Sequence, residues 1–569
     1  MSEPRRFSIG SRLAIGEEQF LLLIAVLIGI YAGLAVVCFR LAIEWVRLTL
    51  LGPALVPTFP RVILVPAAAG LIVAALVVQV FPAVRGSGVN QTKAALYIYD
   101  GFISFRTVIG KFLTSALAIG SGQSLGPEDP SLQIGAGLAS AMGRRLKLSR
   151  DRLRYIAPIG AAAGLAAAFN SPITAVLFVI EEVIGRWTAG VLGAVVLSAV
   201  ASVVTEQWFL GDEPLFRVPP YHLVHGAELL AYAALGLLGG GVSLVFVKAV
   251  SALRPRLRAL PPWTWYLQPA LAGVLIGVVG LRFPQVMGAG YEYIDQAMHD
   301  QYGWQTLAAL CALKVLATTA SFVSGTPGGL FAPTLFIGAM LGGAVCGVER
   351  LIAPQITGPI GAYVLVGMGT LFAGILRAPM TSVFMIVEVS GNYSIILPVM
   401  ISNTIAYFVS RQFQRHPLFD LLSRQDGTEL PSMEEERELD EPTIEDVMRP
   451  ASQAQLAGTE PLAAALERAA TVDAEYFLVD VGNGSWAGIS RAELTALREA
   501  ASADAPLATF VAPIERPYLY PDQSIAIALR ALRGRSFVPI VHRANPRRLE
   551  GVLALDDVVR SVAAGSRPD

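Results

Sequence analysis

The chain has 569 residues, of which 54% are hydrophobic and 15% charged, with a formal net charge of −1, and its mean hydropathy is +0.56. These values exclude an ordinary soluble enzyme, and the near-zero charge excludes a general attraction to nucleic acid. A polytopic membrane protein remains, with a lipid bilayer as its solvent.

In chain order, residues 1–17 carry Arg5, Arg6 and Arg12 and are expected to be cytoplasmic by the positive-inside tendency. No small-residue cleavage site ends the apolar run that follows, so it reads as a retained span rather than a signal peptide. Phe20 to Phe39, Val62 to Phe81, Leu229 to Val247 and Leu267 to Val279 hold few or no charges. Several reach the roughly 20 residues that a helix needs to cross a bilayer. Cys38, Cys311 and Cys346 lack CxxC spacing, and the five histidines (His222, His225, His299, His416, His542) are scattered, so neither a disulfide framework nor a metal site is expected.

Four glycine or proline breaks interrupt the apolar chain: Arg85 to Asn90 (RGSGVN), Gly126 to Pro130 (GPEDP), Phe169 to Pro172 (FNSP) and Thr326 to Pro333 (TPGGLFAP). Broken backbone is tolerated at membrane depth only where protein buries it or a wet cavity adjoins it, so the breaks predict a central polar pathway. A helix that begins there aims unpaired N–H groups and the positive end of its dipole forward, which suits an anion. Pro127 and Pro333 fit helix initiation, and Ser87 adds a hydroxyl donor in a glycine turn. No lysine or arginine is required, and several weak contacts suit an ion that must leave as well as enter.

The apolar part repeats itself. SPITAVLFVIEEV (Ser171 to Val183) aligns without gaps with APMTSVFMIVEVS (Ala378 to Ser390), pairing Glu181 with Glu388 at 207 positions. GPEDP pairs with GLFAP (Gly329 to Pro333) at 203. Two motif pairs in the same order indicate two halves, about 18–210 and 225–420, an arrangement common in transporters; a duplication kept only for packing is the plain alternative.

Glu128 would compete with an anion for helix amides as a tethered plug that a proton can release; a carboxylate that only satisfies the helix dipole is the plain alternative. The basic run Arg144 to Arg154 is expected to be cytoplasmic and begins 16 residues later, about 24 Å of helix, which sets Glu128 toward the outer side. Re-entry through GAAAGLAAAFN would bring Glu181 and Glu182 near the inner side. Two carboxylates, outer and inner, are what proton movement needs, although Glu182 also suits an interfacial salt bridge.

Composition shifts near residue 420. Gly427 to Thr443 is acidic and proline-bearing, a solvated linker (421–442), and residues 443–569 have soluble-domain statistics. In this tail TIEDVMRP, YFLVDVGNGSWAGISRAEL and FVPIVHRANPRRLEGVLALDDVVRSV suggest a short helix, paired strands and a helix, twice.

These motifs resemble the CLC family of chloride channels and chloride/proton exchangers over roughly residues 18–420. GSGVN is similar to its GSGIP, GPEDP to its GREGP, GLFAP to its third signature, and GAAAGLAAAFNSPITAVLFVIEE to its most recognisable run. The resemblance implies an all-α polytopic membrane domain of inverted repeats with tilted, broken helices, working as a homodimer with one pathway per subunit. It implies that Ser87 coordinates a central anion and favours chloride, and that Leu330 and Phe331 offer backbone amides. By the same resemblance Glu128 is the external gate and Glu182 the internal proton-transfer residue that exchangers keep. Phe419 stands where the family has a tyrosine, so its ring can wall the pathway but offers no hydroxyl. Pro127 replaces arginine and removes an amide donor. Asp129 replaces glycine, and a second carboxylate beside Glu128 is expected to raise the cost of ionising both. Asn90 replaces proline.

The tail resembles a tandem CBS pair, a soluble α/β domain. Asp557 resembles a ribose-binding acid for an adenine nucleotide, while Ala554 and Ala487 replace the usual Ser/Thr and Gly; a purely dimer-bracing tail is the alternative. The combined expectation is chloride/proton antiport in a bacterial inner membrane with cytoplasmic termini, and no required cofactor. A gated passive chloride channel and a CBS-based nucleotide sensor on a membrane anchor are the alternatives.

Overall fold

The computed structural model describes residues 7–8, 14–15, 17–53, 59–185, 189–212, 215–216, 218, 225–428, 430–431 and, with short gaps, 443–565. His222, the basic N-terminal residues and most of the acidic linker lie outside the described residues. The chain divides into two compact units, residues 1–435 and 436–569.

The first unit is helical apart from a short antiparallel pair, Phe7–Ser8 with Ala14–Ile15. Its first half contains α1 (Glu17–Leu50), α2 (Arg61–Ala75), α3 (Gly88–Tyr97), α4 (Phe105–Gly120), α5 (Glu128–Arg145), α6 (Arg150–Phe169), α7 (Pro172–Phe178) and α8 (Ala189–Leu210). The second half repeats the order with α9 (Glu228–Arg258), α10 (Gln268–Gly280), α11 (Tyr291–Met298), α12 (Trp304–Val323), α13 (Phe331–Ile352), α14 (Ile360–Leu376), α15 (Pro379–Ser390) and α16 (Ile396–Phe413), and α17 (Leu418–Gln425) follows. Seven helices among the described residues are long and apolar enough to cross a membrane.

All four sequence breaks are helix boundaries. Ser87 is the N-cap of α3 and accepts from Val89 N–H, as a serine at that position can. Asn170, left-handed at φ 51°, ends α6, and Pro172 opens α7; its counterpart Arg377, at φ 56°, ends α14 before Pro379 opens α15. Proline at the first helical position costs no hydrogen bond, because that amide would be unpaired anyway. The two halves meet at their breaks: Gly126 N–H donates to Gly329 O at 2.8 Å and Gly329 N–H returns to Gly126 O at 2.7 Å. Two backbone bonds thereby tie the loops that precede α5 and α13.

Close packing is also duplicated. A Cβ at Gly135 would stand 2.2 Å from Gly160 O, and one at Gly338 would stand 2.2 Å from Gly367 O. Small residues let α5 press on α6 and α13 on α14, where contact rather than water exclusion drives association. α6 and α14 are almost wholly buried from Ile156 to Phe169 and from Ile360 to Leu376. They form the dense centre against which the broken helices rest.

The second unit holds two similar modules. Tyr476–Gly482 pairs antiparallel with Ser485–Ser490, and Gln455–Ala457 adds a parallel strand. Phe537–His542 pairs antiparallel with Asn545–Ala554, and Arg449–Pro450 adds antiparallel. Helices flank each hairpin: Leu462–Thr471 and Arg491–Ala500 in the first, Ile525–Ala531 and Leu555–Gly565 in the second.

Candidate functional site

The broken helices bring the predicted residues together. Glu128 begins α5 and is fully buried, and its Oε2 accepts from Ala332 N–H, in the first turn of α13, at 3.3 Å. Tyr291 at the start of α11 donates its hydroxyl to Glu128 Oε1. Gly126 leaves room for this carboxylate, since a Cβ there would meet Glu128 Oε2 at 2.3 Å. Leu330 is the N-cap of α13 and Phe331 its first residue, both buried.

Asp129 is also buried but turns elsewhere. Its Oδ1 accepts from the Ser87 hydroxyl at 2.9 Å and from Val89 N–H at 3.1 Å, and its Oδ2 accepts from Gly88 N–H at 2.8 Å. Lys111 Nζ lies 3.7 Å away. Successive residues of a helix do not share a direction, so each acid engages a different helix N-terminus, Glu128 that of α13 and Asp129 that of α3, while the two stay adjacent along the chain. Lys111, which no sequence motif marks, closes the Asp129 cluster. Pro127 is the N-cap of α5, and its carbonyl accepts from Ser131 N–H at 2.9 Å and from the Ser131 hydroxyl at 2.8 Å.

Phe419 lies in the first turn of α17, beyond the last long helix. Its ring is 6.0 Å from Phe331 and 6.5 Å from Phe178, and Phe178 is 5.0 Å from Phe331. These edge and tilted contacts make an aromatic wall. Asn90 Nδ2 donates to Phe419 O at 2.8 Å and so fastens α17 to α3.

Glu182 stands in a π-helical turn, Val179–Ile184, that continues α7. It pairs with Lys93 at 3.2 Å, and the same ammonium meets Asp420 at 3.3 Å. Burial of one cation between two carboxylates is sustained by their joint attraction. No sequence motif marks Lys93 or Asp420, although an ionisable side chain at membrane depth is itself a signal of function. Tyr291 gave no comparable signal. A cleft of about 450 Å³, lined among others by Arg85, Ser87, Asn90, Gln91 and Thr107, opens onto the α3 N-terminus.

In the tail, Asp557 does not stand free. Arg449 donates to it through Nε at 3.0 Å and through a terminal nitrogen at 2.8 Å, and Ala554 N–H donates at 3.2 Å. A cavity of about 1160 Å³ in this unit is bordered by Tyr476, Ser490, Arg491, Ser536 and Phe537.

The family described as voltage gated chloride channel matches residues 69–411. A putative chloride channel protein, ClcB-like, of Ralstonia nicotianae is 33% identical over 401 residues, covering 68% of this chain and 92% of the relative. The H+/Cl− exchange transporter ClcA of Vibrio campbellii is 29% identical over 415 residues, covering 70% of this chain and 88% of the relative. Among solved structures, that of a slow cyanobacterial Cl−/H+ antiporter superposes with a TM-score of 0.65 at 25% identity, over 71% of this chain and 97% of that one. The duplicated helical fold, its paired breaks and these likenesses agree: the chain is a multi-span integral membrane protein of the CLC family, whose members are transporters and channels rather than enzymes.

Proposed function

We propose that the protein exchanges chloride for protons, with Glu128 as the protonatable external gate and Glu182 as the internal proton-transfer residue. The observation that carries this reading is the Glu128 carboxylate resting on the α13 amide of Ala332. A carboxylate there occupies a donor that a passing anion would use, and protonation would weaken its hold. Ser87 and the amides of Leu330 and Phe331 are the proposed anion contacts, and Phe419 walls the path. The named activities of the Vibrio exchanger and the cyanobacterial antiporter support exchange. In sealed liposomes with a chloride gradient, the purified protein should drive protons uphill; chloride flux without proton movement would leave a gated passive channel, the reading favoured by the name of the Ralstonia relative.

The working unit in this proposal is a homodimer in a bacterial inner membrane with both termini cytoplasmic; the membrane domain starts at residue 18 and runs beyond the expected boundary at 420 to the end of α17 at Gln425, because Leu422 and Ser423 are buried in that helix, and the linker follows to 442. The tail, 443–569, is proposed as a tandem CBS pair on the strength of its two β-β-α modules. Adenine nucleotide is its proposed ligand, and no cofactor is needed for transport. Chloride transport at the full rate, indifferent to nucleotide, by a chain truncated near residue 425 would remove the sensor alternative.

A further inference from the structure

A second tethered carboxylate sits in the anion path beside the proposed gate. The Ser87 hydroxyl carries one proton, and it is directed at Asp129 Oδ1 at 2.9 Å. The Gly88 amide, which a helix start leaves without an intrahelical carbonyl, also donates to Asp129, and so does the Val89 amide, which it shares with Ser87 Oγ. Lys111 supplies a buried positive charge 3.7 Å away while its ammonium is held by Gly86 O at 3.0 Å. A hydroxyl, two amides and a cation thus converge on a carboxylate brought from another helix, α5. This is the donor set a free anion would use, and it is already filled. The cleft that carries Arg85 and Thr107 reaches the same serine, so a mobile anion has a route to it.

We propose that Asp129 is a competing internal anion at Ser87: transported chloride gains the Ser87 hydroxyl only when the Asp129 carboxylate leaves it. The inference rests on the reading that anions pass Ser87, and it adds a residue that controls their affinity there. Consecutive residues would then plug two different helices, Glu128 the start of α13 and Asp129 the start of α3. A carboxylate tethered by its own backbone competes at high effective concentration, so the wild-type site holds chloride weakly.

Chloride binding to the full-length purified protein, measured by titration calorimetry at fixed pH, tests this. Asp129→Gly should bind chloride about tenfold tighter or more than wild type, the scale expected when one charge-assisted donor set is freed. Adding Ser87→Ala should take that gain away. Asp129→Asn, which keeps the side-chain shape and removes the charge, should move affinity in the same direction and serves where the glycine variant does not fold. Equal affinity, within about twofold, of wild type and both Asp129 variants would show a helix cap only and overturn the proposal. A gain that survives Ser87→Ala overturns the route through Ser87. Failure of proton pumping in liposomes bears on exchange alone, because this binding measurement involves no proton gradient.

Discussion

Glu181 and Glu388 cap each other's neighbouring helix across the repeat boundary. Glu388 accepts from Ile173 N–H at 3.0 Å and from the amide and hydroxyl of Thr174 at 2.8 and 2.6 Å. Glu181 accepts from Met380 N–H at 3.4 Å and from the amide and hydroxyl of Thr381 at 3.0 and 2.8 Å. Each carboxylate serves the N-terminus of a helix that starts at a proline, where free amides and the dipole both favour negative charge. The exchange of caps couples α7 to α15 more directly than packing alone.

Loss of either cap should therefore be costly. Glu388→Ala leaves the α7 donors without their acceptor and should lower stability by about 3 kcal/mol, whereas Thr174→Val should cost about 1 kcal/mol. Thermal unfolding in detergent checks both, and a Glu388→Ala protein that melts with wild type would remove the argument for mutual capping.

Glu128→Gln should keep chloride flux and lose uphill proton movement in liposomes, by at least about tenfold in the proton-to-chloride ratio, as expected for a proton carrier that can no longer titrate. Tyr291→Phe is a milder probe. It removes the phenolic donor that holds Glu128, worth about 1 kcal/mol, and should raise chloride flux about fivefold while protons remain coupled. Unchanged flux in Tyr291→Phe would mean that the tyrosine does not hold the gate.

Lys93→Met should leave Glu182 and Asp420 buried without their shared cation. Removing one member of a buried charged group costs about 3–5 kcal/mol. Lys93→Met should thus lose both stability and proton-coupled flux, and Lys93→Met with Asp420→Asn should recover part of each. The double variant performing no better than the single one would contradict the triad's role.

The tail offers a pH test. The Ser490 amide and hydroxyl both donate to Glu493, and together they hold its carboxyl below the usual carboxylate range. A depressed acid stabilises the folded helix above its unfolded pKa, and the contribution disappears as pH falls through the lower, folded value. Ser490→Ala should accelerate amide hydrogen exchange in Arg491–Ala500 about fivefold at neutral pH, corresponding to a cap of about 1 kcal/mol. The difference from wild type should shrink in acid; a difference that persists unchanged below about pH 3 would contradict the carboxylate's part.

Arg449 bears on the proposed nucleotide ligand, because its bidentate pairing occupies Asp557. Arg449→Ala should raise the affinity of the full chain for adenine nucleotide by about fivefold or more by freeing that acceptor. Identical weak binding in both proteins, read by equilibrium dialysis, would argue that Asp557 is a structural ion-pair partner and not a ribose acid.

Sequence alone determined where helices must stop and which halves correspond. Clusters of glycine, proline and turn residues break an apolar helix, whereas a single Gly135 or Pro158 lies inside one, so RGSGVN, GPEDP, FNSP and TPGGLFAP were legible as boundaries, and equal spacing made Glu181 and Glu388 legible as counterparts. The direction in which each acid points was not legible. Glu128 and Asp129 are adjacent in sequence, yet helical rotation sends one to Ala332 and the other to Ser87. Lys93, Glu182 and Asp420 are separated by 89 and 327 positions along the pairs they form. No local propensity joins them, because only the packing of α3, the turn after α7 and α17 decides which buried charges share one small volume. The membrane setting and the broken-helix scaffold were written in residue type and spacing; the partners of its charges were decided by the tertiary fold, since electrostatic pairing depends on distance in space.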